Sequence, residues 1–356
     1  MPTITAINKT NTGNFFEDFS LGQSLRHATP RTISEGDVAL YTALTGSRFA
    51  LQSSDDFARA LGFERAPIDD LLVFHMVFGK SVPDVSFNAV ANLGYANGRF
   101  GVPVFPGDTL TTVSQVIGIK ENSSGKTGVV YVNSVGRNQR GESVLDFVRW
   151  VMVNKRDEDA AAPEPSVPDL PGLVDPGDLI VPGVLQFTEY DDALAGSAAR
   201  WEDYAPGERI DHAGGVTIEE AEHMMATRLY QNTAKVHFNQ HAAGETRFGR
   251  RIVYGGHIIS LARALSFNGL GNGCKLLAIN GGRHVAPSFA GDTIYAWSEV
   301  LECQELAGRK DAGALRLRTL AVKDKACAGF PDRDSEGKFD PAVVLEFDYW
   351  VLIPRR

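Results

Sequence analysis

Along this chain two stretches are strongly apolar at helical spacing, Ile68 to Ser81 and Val253 to Ser266. The spacing predicts two buried helices. Each follows a polar loop, and before the loop a helix-like segment begins at Ser34 or Glu219, with Ser34 placed to cap its start. Behind each buried helix come runs that read as strands. They are Val104 to Ile119, Gly128 to Gly136 and Val144 to Asn154, then Thr293 to Glu302, Ala314 to Val322 and Val343 to Ile353. Turns such as Pro106-Gly107-Asp108 and Ala290-Gly291-Asp292 punctuate them. One long buried helix followed by several antiparallel strands implies an α+β unit with the sheet wrapped round the helix. A doubly wound parallel fold would need alternating helices, and the pattern has none.

The pattern is written twice. Phe16-Glu17-Asp18-Phe19 matches Trp201-Glu202-Asp203-Tyr204, and Thr32-Ile33-Ser34-Glu35 matches Thr217-Ile218-Glu219-Glu220. Phe105-Pro106-Gly107-Asp108-Thr109 matches Phe289-Ala290-Gly291-Asp292-Thr293, and the halves close alike from Leu145 and from Leu345. The first three matches are offset by 184 or 185 residues and the closing one by 200, so the chain reads as a duplication whose second copy is longer before its last strand. Residues 1–156 form a first unit, 157–184 a proline-rich acidic linker and 185–356 a second unit. A length of 356 residues is large for one compact core and suits two domains.

Composition narrows the function. A net charge of −9, without a basic stripe interleaved with aromatics, argues against nucleic acid as a partner. An anionic ligand would need a local cationic pocket. Three cysteines without zinc-ligand spacing, Cys274, Cys303 and Cys327, fit a reducing cytoplasm. The first residues lack the apolar core of a signal peptide, and no run approaches membrane-spanning length, so no membrane partner is expected.

Candidate chemistry concentrates between Tyr230 and Leu261. Asn232 and His237 stand five residues apart, followed by Arg247, Arg250 and Arg251, then Val253-Tyr254-Gly255-Gly256 at the start of the second apolar helix. A titratable imidazole, a glycine-opened helix and flanking cations suit an anion-binding catalytic site. Bland readings stand beside this one. A loop histidine is most often a surface residue, Asn232 fits a helix C-cap, and Lys235, Arg250 and Arg251 fit solvated loop charges. His75, His257 and His284 read as core or pocket-wall residues. Gly269-Leu270-Gly271-Asn272-Gly273 reads as a turn, and no triad or metal cluster stands out.

These residues resemble the MaoC-like hydratases, a family with the hot-dog fold that includes the (R)-specific enoyl-CoA hydratases. The family signature has Asp, then Asn-Pro two residues on, and His five residues after the Asp; a downstream Pro-Ile-Val-His-Gly opens the central helix. Here Asn232 stands at the Asp, Ala234-Lys235 at Asn-Pro, His237 at the His and Arg251-Ile252-Val253-Tyr254-Gly255 at the helix start. Pro103 to Thr109 carries another motif typical of the family. The resemblance covers both halves and implies a double hot-dog hydro-lyase without metal or redox cofactor. It points to a duplicated form acting on a branched dicarboxylic acyl-CoA, with homo-oligomers of such chains.

On this reading His237 carries proton transfer, Asn232 orients water or carbonyl, and the Gly255 amide holds the thioester oxygen. Lys235, Tyr254, Arg250, Arg251 and, from the first half, Gln52 are the expected substrate contacts. The first unit departs further: Ser47 stands opposite Asn232, Gln52 opposite His237 and Asp70 opposite Gly255. Gln cannot transfer protons near neutrality, so that unit is expected to be non-catalytic. Hydration of monocarboxylic chains and non-catalytic acyl-CoA binding stay open as alternatives.

Overall fold

The computed structural model describes residues 9–356. The first half supplies β1 (Ser24–Arg26), β2 (Arg31–Thr32), β3 (Ala89–Phe100), β4 (Thr109–Glu121), β5 (Thr127–Arg137) and β6 (Ser143–Asn154). The second supplies β7 (Arg209–Thr217), β8 (Lys275–His284), β9 (Thr293–Glu305), β10 (Ala312–Lys323) and β11 (Val343–Pro354). They form one antiparallel sheet in the order β1-β4-β5-β6-β3-β8-β11-β10-β9-β7, with β2 beside β4. The order reads alike from either end. At its centre β3 and β8 join the halves, Tyr95 opposite Gly282 and Gly98 opposite Ile279.

The repeat extends to buried polar contacts. His27 Nε2 lies 2.8 Å from Ser114 Oγ, which lies 2.7 Å from Ser134 Oγ. In the second half the same chain runs from His212 to Ser298 at 2.8 Å and on to Thr319 at 2.7 Å. Ser34 caps the helix Glu35–Thr45, accepting from the Asp37 amide.

Two central helices, Asp70–Ser81 and Gly255–Leu265, lie against this sheet. All of Asp70–Ser81 is buried. The length of the chain predicts two cores, but the largest hydrophobic cluster draws on both helices and both halves, from Leu71 and Phe74 to Ile258 and Leu261. Polar contacts cross the seam inside it: the Tyr41 hydroxyl donates to Ser260 Oγ at 3.0 Å, and His75 Nε2 lies 2.8 Å from the same oxygen. Gly79 makes the close approach possible. A Cβ there would fall 1.8 Å from the Tyr230 carbonyl oxygen, so only glycine lets the first central helix abut the end of Glu220–Tyr230. That contact fixes the loop that follows Tyr230.

Segment 157–184 straps the sheet, pairing with β4 at one point and packing on β8 and β11 at another. Ser166 exchanges both backbone hydrogen bonds with Ile119. Val174 is buried, its N–H donates to Asn280 Oδ1 at 2.9 Å, and its carbonyl accepts from Trp350 Nε1 at 3.2 Å. Prolines keep the strap extended, and these few bonds hold it to the sheet. Among the described residues no helix is long and apolar enough to cross a membrane.

Candidate active site

The helix Glu220–Tyr230 ends at Gln231, whose positive φ of 55° turns the chain out of the helix. Asn232 follows, 1% exposed. Its N–H bonds the Thr227 carbonyl, and its Oδ1 accepts from the Ala234 amide at 3.2 Å. This local turn launches the short helix Lys235–Phe238, which carries His237. Asn232 therefore does the turn-making that its residue type favours, and its Nδ2 has no partner among the described residues.

His237 is partly buried, and its Nδ1 lies 2.9 Å from the Ile252 carbonyl oxygen. A carbonyl can only accept, so Nδ1 carries the hydrogen and Nε2 keeps its lone pair. Burial pulls the imidazole pKa down to about 4, against a smaller upward pull from the Ile252 bond. Near neutrality the ring is therefore an unprotonated base. It meets the Tyr254 ring edge to face, with centroids 5.7 Å apart.

Tyr254 precedes the second central helix and caps it with no side-chain bond. The amides of Gly255 and Gly256 in the first turn have no acceptor among the described residues. The helix dipole adds to them, so the helix start favours a developing negative charge. The Tyr254 hydroxyl is buried without a partner.

On the other side of Gly255 stands His284, at the end of β8. A Cβ on Gly255 would fall 2.4 Å from this imidazole, so glycine is required for the two to touch. His284 Nε2 lies 3.2 Å from the Tyr95 hydroxyl. Burial, with a smaller contribution from nearby His237, lowers its pKa to about 4. Two neutral imidazoles thus flank one glycine-opened helix start. His284 was readable only as a wall or core residue. One signal could have singled it out: the repeat places Phe100 at the equivalent position.

The remaining candidates scatter. Arg251 pairs with Glu220, Arg250 stacks over Phe289 at 4.1 Å and Arg247 over Phe248 at 4.6 Å. The expected cationic cluster is therefore taken up by protein partners. Lys235 is exposed and lies 4.8 Å above Phe87, a residue of the first half. A pocket of about 330 Å³ opens beside this loop, lined by Lys80, Arg228, Gln231, Thr233 and Phe238 among others. Burial draws Lys80 down to about 8. Gln52 lies elsewhere, its Nε2 donating to the Cys274 carbonyl at 2.8 Å, in the wall of a separate pocket of about 460 Å³ beside Glu35 and Arg65. His257 binds Glu222 at 2.8 Å, and His75 lies wholly in the core.

At the equivalent start of the first central helix the site is closed. Asp70 pairs with Lys275 and accepts from the Leu276 amide at 3.0 Å, all buried.

A protein from Chloroflexus aurantiacus whose solved structure is described as a MaoC domain dehydratase is 67% identical, with a TM-score of 0.96 over 98% of this chain and all of its own. A Mycobacterium tuberculosis protein with a double hot-dog fold is 26% identical, with a TM-score of 0.75 over 97% of this chain and 99% of its own. Fold and site together define a double hot-dog protein of the MaoC-like class, α+β throughout. A family model described as mesaconyl-CoA hydratase matches residues 3–331, and the chain belongs to that family. The β-methylmalyl-CoA dehydratase of C. aurantiacus is 68% identical over 98% of this chain and 99% of its own length. The mesaconyl-CoA hydratase of Cereibacter sphaeroides is 59% identical over 98% and 100%.

Proposed function

We propose that this chain is a hydro-lyase that interconverts mesaconyl-CoA and β-methylmalyl-CoA, and that the chemistry takes place at the start of the second central helix. The observation that carries the reading is the tautomer of His237: with Nδ1–H tied to the Ile252 carbonyl, Nε2 is a lone-pair base packed on the residue before Gly255. In the hydration direction, Nε2 takes a proton from water as its oxygen bonds the β carbon. Electron density moves from the double bond to the thioester oxygen, where the Gly255 amide and the helix start receive it. The imidazolium then returns its proton to the α carbon, so one water is added and His237 is restored. His284 lines the opposite side and fixes the thioester against Gly255. Asn232 offers its Nδ2 to water or carbonyl without adding a charge. A cytoplasmic location and a homo-oligomer belong to this reading, as does a first half that shapes the fold without taking part in the chemistry.

The test is incubation with mesaconyl-CoA and, separately, crotonyl-CoA, following loss of conjugated-thioester absorbance and formation of the hydrated thioester by mass. Higher kcat/KM for mesaconyl-CoA is expected. Preference for crotonyl-CoA would establish a monocarboxylic hydratase instead, and binding of both without turnover would establish an acyl-CoA-binding protein.

A further inference from the structure

Arg149, on β6, is 0% exposed and has no carboxylate at salt-bridge distance among the described residues. Its Nη2 donates to Ser81 Oγ at 2.7 Å, and its Nη1 and Nη2 reach Ser86 Oγ at 3.3 and 3.4 Å. Its Nε is buried with no acceptor. Burial pulls its pKa down to about 10, which leaves it charged near neutrality. The guanidinium lies 4.2 Å over the Phe78 ring, an attraction that offsets part of the desolvation. A buried charge without a counter-ion is costly, and hydrophobic residues of the same size would serve stability better. The repeat shows the alternative, since Tyr349 holds the equivalent position on β11. Stability alone therefore does not account for Arg149.

Its surroundings point towards the site. Phe78, which Arg149 covers, packs against Tyr254 with ring centroids 5.5 Å apart, and Tyr254 packs on His237. Arg149 is the cross-strand partner of Tyr95, whose hydroxyl meets His284. Ser81 precedes and Ser86 ends the π-helical turn Val82–Ser86, a type of irregularity frequent at functional sites. The next residue, Phe87, lies under Lys235 of the His237 helix. Asn92 pairs with Val151 and so shares the inward face of Arg149; both of its amide atoms are buried without partners. A guanidinium with an unpartnered Nε and no counter-ion, and the unpartnered Tyr254 hydroxyl, thus stand one ring contact behind the two imidazoles, with the unpartnered Asn92 amide further along the same face.

We propose that Arg149 is the specificity-determining residue for the free carboxylate of a dicarboxylic acyl-CoA, which it receives on its Nε edge with Asn92 and Tyr254 as further donors. This rests on the hydratase reading above. It gives the carboxylate a partner other than the loop cations Lys235 and Arg251, which were expected from the sequence as substrate contacts. A planar guanidinium can meet a carboxylate with two parallel hydrogen bonds, which a loop lysine cannot.

The probes are mesaconyl-CoA and tiglyl-CoA, the thioester of the same carbon skeleton with a methyl group where the carboxylate stands. For Arg149→Met, kcat/KM on mesaconyl-CoA should fall about a hundredfold or more, chiefly through KM, with a much smaller fall on tiglyl-CoA. Equal losses on both substrates would make Arg149 a structural residue and overturn the proposal. Arg149→Lys, which keeps the charge but not the fork, serves if the Met variant does not fold. It should raise KM for mesaconyl-CoA about tenfold and leave a smaller mark on tiglyl-CoA; equal effects again overturn the proposal. A wild-type protein that does not turn over mesaconyl-CoA removes the hydratase reading, and this inference with it, before any variant is compared.

Discussion

The two central helices begin with opposite chemistry. The first opens on Asp70, whose carboxylate is closed off by Lys275 and the Leu276 amide. The second opens on Gly255, whose amide has no acceptor among the described residues and whose Cα packs against the His284 ring, with His237 nearby. One backbone plan thus gives a sealed end and an open one. The same helix dipole acts at both. At the first it meets a permanent negative charge that is then neutralised by lysine. At the second it meets no charged side chain, and the proposed reaction places the developing oxyanion there. Duplication permits this division: the sheet and shared core draw on both halves, while the proposed chemistry uses one helix start.

The comparison breaks most sharply at Gly255. Gly255→Val would drive Cβ into the His284 ring and, on the proposed function, crowd the thioester oxygen. Turnover should fall by about three decades or more while far-UV circular dichroism stays native, since an oxyanion donor alone is worth roughly two to three decades. Near-normal kcat would show that the open end is not where the oxygen binds.

The sealed end should answer in stability. Lys275→Met leaves the Asp70 carboxylate buried and unpaired, which should cost about 3–5 kcal/mol in denaturant unfolding. Adding Asp70→Asn should restore much of that loss. Turnover per folded molecule should change little. If Lys275→Met removed turnover at unchanged stability, the first helix start would have to belong to the catalytic machinery.

The smallest effect is a flat one. His237 and His284 are both held near pKa 4, so kcat should vary little between about pH 5.5 and 8 and decline only as His237 protonates towards pH 4. Stability follows the same sign. Against an unfolded value of 6.5, these depressed groups contribute fully above pH 6.5 and lose that contribution as pH falls towards 4, so Tm should drop across that window. An acid limb centred near pH 6.5 would mean that His237 is solvated.

Much of this was legible in the sequence, for physical reasons that also mark where legibility stopped. The central helices announced themselves because they are apolar on nearly every side, and six strands because runs rich in β-branched and apolar residues stand between turn-forming Gly, Pro and Asp. The strands β3 and β8 escaped. Gly94, Gly98, Gly281 and Gly282 and several asparagines interrupt the alternation there, because the backbones approach bulky rings such as Trp150 and Tyr95. Those two strands join the halves, and β8 brings His284 to Gly255, so a residue outside the motif entered the site unannounced. Arg149 was hidden for another reason. Its burial depends on packing against Phe78 and the Ser81–Ser86 turn, which no local pattern encodes. Conversely, Arg250 and Arg251 looked available because a sequence does not show Phe289 and Glu220 beside them.

The division of labour between the halves is tested most directly by measuring mesaconyl-CoA turnover in His237→Gln and Gln52→Ala, the two equivalent positions, in parallel with wild type. His237→Gln should lose about two to four decades of kcat, the scale of general acid–base catalysis. Gln52→Ala should keep kcat within about threefold of wild type and express its effect in KM or stability. Comparable losses of kcat in the two variants would contradict the assignment of the chemistry to the second helix start.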